Sequence, residues 1–185
     1  MILPIYAFGQ PVLKKKAAAI PEDYANMEQL VGNMWETMYF ANGVGLAGPQ
    51  VGLGLRIFMV DTIQIMDDDK KDQGIKAVFI NPQIIDESGE AWGYEEGCLS
   101  IPDVRGEVFR QPKIKIKWQD EHFKHHEAEF DGMNARVIQH EYDHIEGILF
   151  TDKLKPIKRK MVRRKLENIR RGKTKADYKM KFSAR

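Results

Sequence analysis

The segment RVIQHEYDHIEG, residues 136–147, predicts the central element of this 185-residue chain. His140 and His144 are four residues apart, so on an α-helix they differ by about 40° in direction and about 6 Å in rise, and both imidazoles can reach one cation. Glu141 lies about 100° around the helix from His140, where it can act on a water at the metal without being a ligand. This H-E-x-x-H arrangement is typical of zinc-hydrolase helices and indicates metal-assisted hydrolysis.

The two histidines share a helix face with apolar residues. At 100° per residue, Val137, His140 and His144 all lie within about 40° of Met133. Such a helix has little room for a solvent face and is expected to be central in the fold. Burying these histidines and Glu141 without a cation would cost several kcal/mol of desolvation, which favours a metal site over a salt-bridged surface cluster.

A catalytic metal site needs a third protein ligand and an open position. The metzincin pattern is followed as far as Gly147, but Phe150 stands where that class has its third histidine, so that class is excluded. Glu167 lies 23 residues after His144, at the spacing of a gluzincin ligand, although its arginine-rich surroundings favour an ion pair on an exposed helix. Cys98 is the stronger candidate because a thiolate binds borderline cations tightly. A small buried hydrophobe and a nucleophile are the alternatives for this cysteine.

Three separated segments resemble the signature motifs of peptide deformylases, in the same order and at similar spacing. They are GVGLAGPQ at residues 43–50, EGCLS at residues 96–100 and QHEYDH at residues 139–144. The resemblance extends through Leu154 and covers most of the chain. One position departs from the family's usual Ala-Ala-Pro-Gln, since Gly48 replaces the second alanine and should loosen the backbone.

The first of these motifs also satisfies the dinucleotide pattern G-x-G-x-x-G. It follows a helical stretch instead of a strand, however, and Pro49 interrupts the place where a helix should begin. A Rossmann nucleotide site is therefore not expected.

The resemblance implies that Cys98, His140 and His144 bind one divalent metal. Fe²⁺ is the family's usual ion, and Zn²⁺ or Ni²⁺ can replace it. The implied reaction is hydrolysis of the formyl group on the N-terminal methionine of nascent polypeptides, with release of formate.

The resemblance also implies roles for residues around the metal. Glu141 would carry the proton, while the Gln50 side-chain amide and the Leu99 backbone N–H would donate to the developing oxyanion. Glu96 is expected to orient the site loop. The substrate site is expected to include Gly45, Val44, Arg105, Met133 and Val137. Arg105 is equally explained as a surface charge, and the three apolar side chains as ordinary core.

Size and composition are those of one domain with a real core, since 43% of the 185 residues are apolar. No stretch approaches the roughly 18 to 20 apolar residues that cross a bilayer, so no membrane partner is expected. The N-terminus lacks a basic leader and the single cysteine gives no disulfide framework. The cytoplasm is therefore the expected compartment.

Charge is divided unevenly along the chain. Residues 153–185 carry 15 Lys or Arg and two acidic residues, whereas residues 1–152 carry 14 basic and 25 acidic residues. Such asymmetry suggests a separate partner for the basic end. We treat residues 1–155 as the catalytic body and residues 156–185 as a basic C-terminal helix and tail of the same domain.

The basic segment is expected to form an amphipathic helix that packs on the acidic body. Its apolar stripe is formed by Ile157, Met161, Leu166 and Ile169. The resemblance to deformylases with a helical C-terminus suggests the ribosome, near the exit of the nascent chain, as a partner, since rRNA would attract these charges. The rival interpretation is an RNA-binding protein whose metal is structural.

The remaining pattern predicts an α+β fold, with short, mostly antiparallel sheets around the central metal-binding helix. Apolar residues at helical spacing predict a helix over residues 21–42. Strands are predicted at residues 55–61, 77–81, 113–118 and 127–130. His122, His125 and His126 lie between the last two strands and are interpreted as a polar hairpin turn instead of a metal cluster.

Overall fold

The computed structural model describes residues 1–183, so Ala184 and Arg185 of the basic tail lie outside the described residues. Within this range the helices are α1 (Met27–Phe40), α2 (Gly132–Ile145) and α3 (Pro156–Arg170). The strands are β1 (Ile5–Tyr6), β2 (Gly45–Ala47), β3 (Ile57–Asp61), β4 (Lys76–Ser88), β5 (Trp92–Cys98), β6 (Ile101–Arg110), β7 (Lys113–Gln119), β8 (His125–Asp131) and β9 (Met180–Lys181).

The largest sheet is antiparallel throughout, with the strand order β2-β3-β4-β7-β8. Helix α2 packs against it, and Ala135, Ile138 and Ile145 of the helix are fully buried. On the sheet, Phe58 and Phe79 stack at 4.8 Å between ring centroids and form part of the same core. The predicted α+β fold with a central metal-motif helix is confirmed.

Helix α1 covers another face of the molecule, but it is shorter than the predicted residues 21–42. It begins at Met27 because Asn26 has a left-handed backbone with φ of 61°. The chain before it turns, with the Tyr24 N–H bonded to the Pro21 carbonyl at 3.1 Å. The predicted apolar face is nevertheless correct, since Met34 and Met38 are fully buried.

The four predicted strands are all present as β3, β4, β7 and β8, and β4 extends well beyond its predicted end to Ser88. Strands β7 and β8 form the expected antiparallel hairpin. The histidines near its turn make local contacts, such as His126 with the Asp120 carboxylate at 2.6 Å. The β5-β6 hairpin, by contrast, has no counterpart in the sequence prediction. It carries Cys98 at the end of its first strand.

Helix α3 confirms a basic helix after residue 155, but the predicted packing stripe is partly wrong. Val162 and Ile169 are buried, with Leu166 half-buried between them. Ile157 and Met161 are instead 79% and 70% exposed on the outer face. Within residues 1–183, no helix is both long and apolar enough to cross a membrane.

The chain does not end at α3 but returns to the body. Strand β9 pairs in parallel with β1, joining the two ends of the described chain. The Ile5 N–H donates to the Lys179 carbonyl at 2.8 Å, and the Ala7 N–H donates to the Lys181 carbonyl at 2.9 Å. The segment that links α3 to β9 therefore lies on the catalytic body.

Candidate metal centre

Three potential ligands converge from two elements. Cys98 ends β5, while His140 and His144 lie one turn apart on α2. One ligand atom from each of these residues lies within 4.8 Å of the others. The Cys98 Sγ atom is 3.3 Å from His144 Nε2. The two histidine rings meet edge to face, with centroids 5.1 Å apart.

Glu96 fixes the orientation of His140. Its carboxylate lies 2.8 Å from His140 Nδ1, which leaves the Nε2 atom of that ring for the metal position. Arg110 donates two hydrogen bonds to the same carboxylate, and Arg136 donates one at 2.9 Å. Burial would raise the pKa of Glu96, but the hydrogen bonds from His140 and Arg110 lower that pKa well below its usual value. The buried group is therefore a carboxylate that holds a ligand ring in place.

The two arginines are themselves anchored. Arg110 extends the network to Asp143 at 2.8 Å, and Arg136 lies over the Trp92 ring with its Cζ 4.3 Å from the centroid. Gln139, by contrast, donates to the Gln111 carbonyl at 2.9 Å, away from the ligand atoms. Asp143 thus acts on the ligand network through Arg110, and Gln139 contacts the neighbouring backbone.

The donor set fits a divalent metal. One sulfur and two imidazole nitrogens are the ligands that zinc, iron and nickel accept. His144 is buried, and burial lowers its pKa well below the usual value, so the ring is kept in the neutral form that carries a free lone pair. Its Nε2 atom faces Cys98 Sγ at 3.3 Å, while its Nδ1 atom has no hydrogen-bond partner among residues 1–183.

Glu141 lies beside the ligands on α2 and is almost completely buried, with 4% of its surface exposed. This burial raises its pKa to about 7. Its Oε2 atom has no hydrogen-bond partner among the described residues. Gly45 in β2 packs directly on this side chain, and a Cβ at that position would lie 2.4 Å from Glu141 Oε1. The Glu141 carboxyl group therefore occupies space that is open only because residue 45 is a glycine.

The Gln50 side chain is aimed at the ligand loop by a backbone contact. Its Oε1 atom accepts a hydrogen bond from the Ala47 N–H at 2.9 Å. This contact turns the Nε2 amide toward Cys98 Sγ and Ser100 Oγ, each at 3.4 Å. Gly48 lies between Ala47 and Gln50 and is buried, so the local backbone is tightly packed despite the missing methyl group.

The predicted site residues come together around one cleft of about 770 Å³. Those that line it are Val44, Gly45, Gln50, Cys98, Leu99, Arg105, Met133, Val137, His140 and Glu141. His144 lies behind this surface and is 1% exposed. The wall also contains Lys175, Ala176, Asp177 and Tyr178 from the segment after α3.

The alternative third ligand is far less suitable. Glu167 lies on the surface of α3, where its carboxylate pairs with Arg170 at 2.8 Å and Arg171 at 2.6 Å. These contacts lower the pKa of Glu167 to about 2. Its carboxylate is therefore engaged in the local ion pairs expected for an exposed helix.

Comparison with known proteins identifies the family. The polypeptide deformylase family model matches residues 2–160. The peptide deformylase of Christiangramia forsetii is 56% identical over 98% of this chain and 96% of its own length. A solved peptide deformylase from Legionella pneumophila is 37% identical with a TM-score of 0.81, covering 92% of this chain and 96% of that one. A solved peptide deformylase from Plasmodium falciparum is 31% identical with a TM-score of 0.82, covering 91% of this chain and 95% of that one.

This chain belongs to the polypeptide deformylase family. Enzymes of the family remove the formyl group from the N-terminal formyl-methionine of nascent peptides, and this chain is such a metal-dependent hydrolase. The Cys98, His140 and His144 group is its potential site for a divalent metal. The deformylase resemblance stated from the three motifs is confirmed.

Sequence reasoning missed the buried arginines of this deformylase and the cleft-lining tail. Arg110 ends a strand that was not predicted, so no pattern marked it. Arg136 precedes His140 by one helical turn, and that i, i+4 spacing could have identified it as a partner of the ligand network. Arg105 lines the cleft, but its guanidinium donates to the Glu95 carbonyl at 3.0 Å.

Proposed function

We propose that Cys98, His140 and His144 hold the metal of this deformylase and that Glu141 transfers the proton during formyl hydrolysis. The observation that carries the proposal is the convergence of three ligand atoms beside one buried carboxyl group at the wall of a cleft. A divalent metal in such a site supplies Lewis acidity, which polarises a carbonyl group and makes water more acidic.

The protein groups divide the remaining chemistry. Glu141 accepts the proton of the attacking water and then delivers it to the nitrogen of the departing peptide. Burial raises the pKa of this carboxyl group, which makes its carboxylate a stronger proton acceptor. The Gln50 amide and the Leu99 N–H donate to the oxyanion that develops on the formyl oxygen. Glu96 keeps His140 oriented throughout.

The substrate is proposed to enter along the 770 Å³ cleft. Val44, Met133 and Val137 supply the apolar surface for the methionine side chain, and Gly45 contributes a backbone contact near the substrate. Arg105 lies at the exposed rim, where its guanidinium pairs with the Glu95 carboxylate at 3.8 Å, and it is proposed to contact the downstream part of the peptide from there. These contacts place the apolar part of the substrate next to α2 and its polar backbone toward solvent.

The test is an anaerobic assay of a formyl-Met tripeptide beside its unformylated twin, with metal content measured on the same sample. Wild-type protein should release formate and leave the peptide bonds intact. Cys98→Ser should lose metal and activity together, whereas Glu167→Gln should keep both. Peptide-bond cleavage, or retention of metal by Cys98→Ser with its loss from Glu167→Gln, would favour a gluzincin peptidase.

The oxyanion role of Gln50 has its own test. Gln50→Ala should keep the metal yet lose about 10²- to 10³-fold in kcat, because removing one such donor costs that much in related sites. Gln119→Ala is the matched control, since Gln119 is also a buried glutamine but bonds to Asn81, away from the ligands. An unchanged kcat for Gln50→Ala would reject the role.

Fe²⁺ is the proposed physiological ion, and Zn²⁺ or Ni²⁺ are substitutes. The Cys-His-His set accepts all three, so the donor types alone favour none of them. Metal-free protein reloaded anaerobically with each ion should show its highest kcat with Fe²⁺ or Ni²⁺. Oxygen exposure should inactivate the iron form alone. A protein purified with stoichiometric Zn²⁺ and full activity would contradict the iron assignment.

We further propose that α3 contacts the ribosome near the exit of the nascent chain, which places the enzyme in the cytoplasm. The outer face of α3 combines the exposed Ile157 and Met161 with basic side chains, including Lys160, Arg163 and Arg164. Phosphate contacts made by these charges would depend strongly on salt. The exposed Ile157 and Met161 beside these charges would suit a ribosomal surface that contains protein as well as rRNA.

Co-sedimentation at low salt tests this proposal without disturbing the cleft. A variant with Arg159, Lys160, Arg163 and Arg164 changed to glutamine should lose ribosome binding and retain deformylation of a short peptide. The control variant has Lys70 and Lys71 changed to glutamine. Both lie in the exposed acidic 3-10 segment Asp68–Gln73, and this variant should still bind ribosomes. Equal binding by both variants would reject the α3 surface. If α3 instead binds RNA in general, naked rRNA should compete with ribosomes for the protein with equal affinity.

A further inference from the structure

The segment after α3 forms part of the active-site cleft. Lys175, Ala176, Asp177 and Tyr178 line the same cavity as the metal-ligand candidates and Glu141. This segment lies beyond the residues matched by the family model, which end at residue 160. It is held at both ends, by α3 before it and by the β9-β1 pairing after it.

Tyr178 connects this segment to the ligand loop. Its ring is half-buried, and its hydroxyl donates a hydrogen bond to the Leu99 carbonyl at 2.7 Å. Leu99 and Ser100 form the tight turn between β5 and β6, where Cys98 pairs with Ile101. Tyr178 therefore contacts the two-residue turn that follows the cysteine ligand candidate.

The same turn is held from other sides through Ser100. The Phe8 N–H donates to the Ser100 carbonyl at 2.9 Å, and Gln50 Nε2 lies 3.4 Å from Ser100 Oγ. Neither contact engages Leu99 itself. The Tyr178 hydroxyl restrains Leu99 through its carbonyl, and in a two-residue turn this limits rotation of the residue whose N–H is the proposed oxyanion donor.

We propose that Tyr178 is a positioning residue for deformylation, which holds Leu99 so that its backbone N–H meets the oxyanion on the formyl group. The inference rests on the proposed oxyanion role of Leu99. The C-terminal segment would then contribute to catalysis, since oxyanion donors stabilise the transition state best when they are held in position before the reaction.

A purely structural role for the hydroxyl would be to dock the tail, but the tail has independent anchors. Besides the β9-β1 pairing, Lys181 Nζ lies 3.1 Å from the Tyr6 hydroxyl, and the Lys181 carbonyl accepts from Gln10 Nε2 at 3.2 Å. Ser183 Oγ donates to the Arg170 carbonyl at 3.2 Å. Removing the Tyr178 hydroxyl should therefore leave the segment in place.

Tyr178→Phe and Tyr6→Phe test the two roles, because each removes one hydroxyl contact of the same tail. Kinetics on a formyl-Met tripeptide, metal content and Tm are measured on the holoenzyme. We expect Tyr178→Phe to lose about tenfold in kcat, since small misplacements of reacting groups have large effects. Its KM, metal content and Tm should stay near those of the wild type. Tyr6→Phe should keep kcat within twofold.

Several outcomes would overturn the proposal. An unchanged kcat in Tyr178→Phe does so, as does a rise in KM alone, which would indicate that the tyrosine only forms the wall of the cleft. Equal losses of kcat in both variants, or a loss matched by a fall in Tm, would assign the contact to tail packing. If the wild type, assayed in parallel, releases no formate, the proposed function is rejected instead.

Discussion

At the scale of single residues, the contact between Gly45 and Glu141 gives a sharp prediction. A methyl group at residue 45 would lie 2.4 Å from Glu141 Oε1 and 2.7 Å from its Cδ. To avoid this overlap, the Glu141 side chain must leave its position beside the potential metal ligands, for example toward the cleft that it lines. Gly45→Ala should therefore keep its metal and lose about 10²-fold in kcat, as expected when a reacting group is displaced by about 1 Å.

Gly54→Ala is the control for this substitution. A Cβ at Gly54 would have nothing within 4 Å, and its backbone φ is not positive, so kcat and Tm should match the wild type. Steady-state kinetics with metal analysis on both variants is the measurement. Full activity in Gly45→Ala would mean that Glu141 moves without consequence, which would reject its proton-transfer role in this geometry.

The buried Glu96 carboxylate predicts a pH dependence of stability. Its pKa is lowered in the folded protein, so its stabilising contribution is present above the unfolded pKa of about 4.3 and is lost as the pH falls through the folded value. Glu96→Gln leaves Arg110 and Arg136 without their shared anion and should cost about 3 to 5 kcal/mol at pH 7. That difference should shrink as the pH falls below 4.

Urea unfolding with a chelator present checks this dependence without the metal. Free energies of unfolding for the wild type and Glu96→Gln are compared from pH 7 down to pH 3. The difference between the two free energies should narrow as the pH falls from about 4 to 3, because the unfolded wild type then takes up a proton at Glu96 that the folded protein, with its lowered pKa, does not. A gap that stays constant with pH would show that the side chain is not ionised in the folded state.

The sequence located the potential metal group of Cys98, His140 and His144 because much of the information is local. His140, Glu141 and His144 are related by helical geometry alone, and Cys98 was found from a second short motif. Arg110 and Tyr178 were missed for the opposite reason. Their partners, Glu96 and Leu99, are 14 and 79 residues away along the chain, and contacts at that separation follow from the tertiary fold.

At the scale of elements, the segment Ala47–Gly48–Pro49–Gln50 shows how one small residue shapes the site. A Cβ at Gly48 would lie 2.9 Å from the Leu55 carbonyl oxygen and 3.2 Å from that of Leu53. Both are backbone atoms that cannot rotate away. Gly48→Ala, which restores the residue usual in deformylases, should therefore destabilise this protein by about 1 to 3 kcal/mol, in the range of overpacked cores.

Gly32→Ala provides a control of opposite sign. Gly32 is exposed in the middle of α1 and has no atom within 4 Å of its ideal Cβ. Alanine there should raise the free energy of unfolding by about 0.5 to 1 kcal/mol, since glycine is the poorer helix former. Chemical denaturation of both variants measures the difference. A Gly48→Ala protein as stable as the wild type would mean that the loop before β3, which includes Leu53 and Leu55, adjusts without loss of stability.

Element boundaries were predicted less well than element types. Periodicity identified α1, but the backbone of Asn26 delayed its start to Met27. For α3 the helix was correct, yet the packing face was only partly correct, because Leu166 and Ile169 pack as predicted but Val162 and not Met161 faces the core. Hydrophobic spacing on a short basic helix allows several stripes, and the neighbouring elements select among them.

At the scale of the whole molecule, the potential metal position lies between two hydrophobic cores that the ion pairs of Glu96 and Arg110 with α2 already connect. Cys98 comes from the β5-β6 hairpin, whose core includes β6 and α3, whereas α2 packs in the core of the large sheet. A metal bound by Cys98, His140 and His144 would cross-link these two units. Any group that binds the folded state alone stabilises it, by about 2.7 kcal/mol at 100 times its Kd.

Metal removal should therefore lower Tm as well as abolish activity. Chelator-treated wild type should unfold several degrees below the metal-loaded protein, and adding the ion back should restore both Tm and formate release. Cys98→Ser, which lacks one cross-linking ligand, should already unfold near the chelated value and respond little to chelator. Differential scanning calorimetry of each of these samples gives the Tm values. If chelation lowers the Tm of Cys98→Ser as much as that of the wild type, the stabilising ion binds elsewhere, and the cross-link between the hairpin and α2 does not exist.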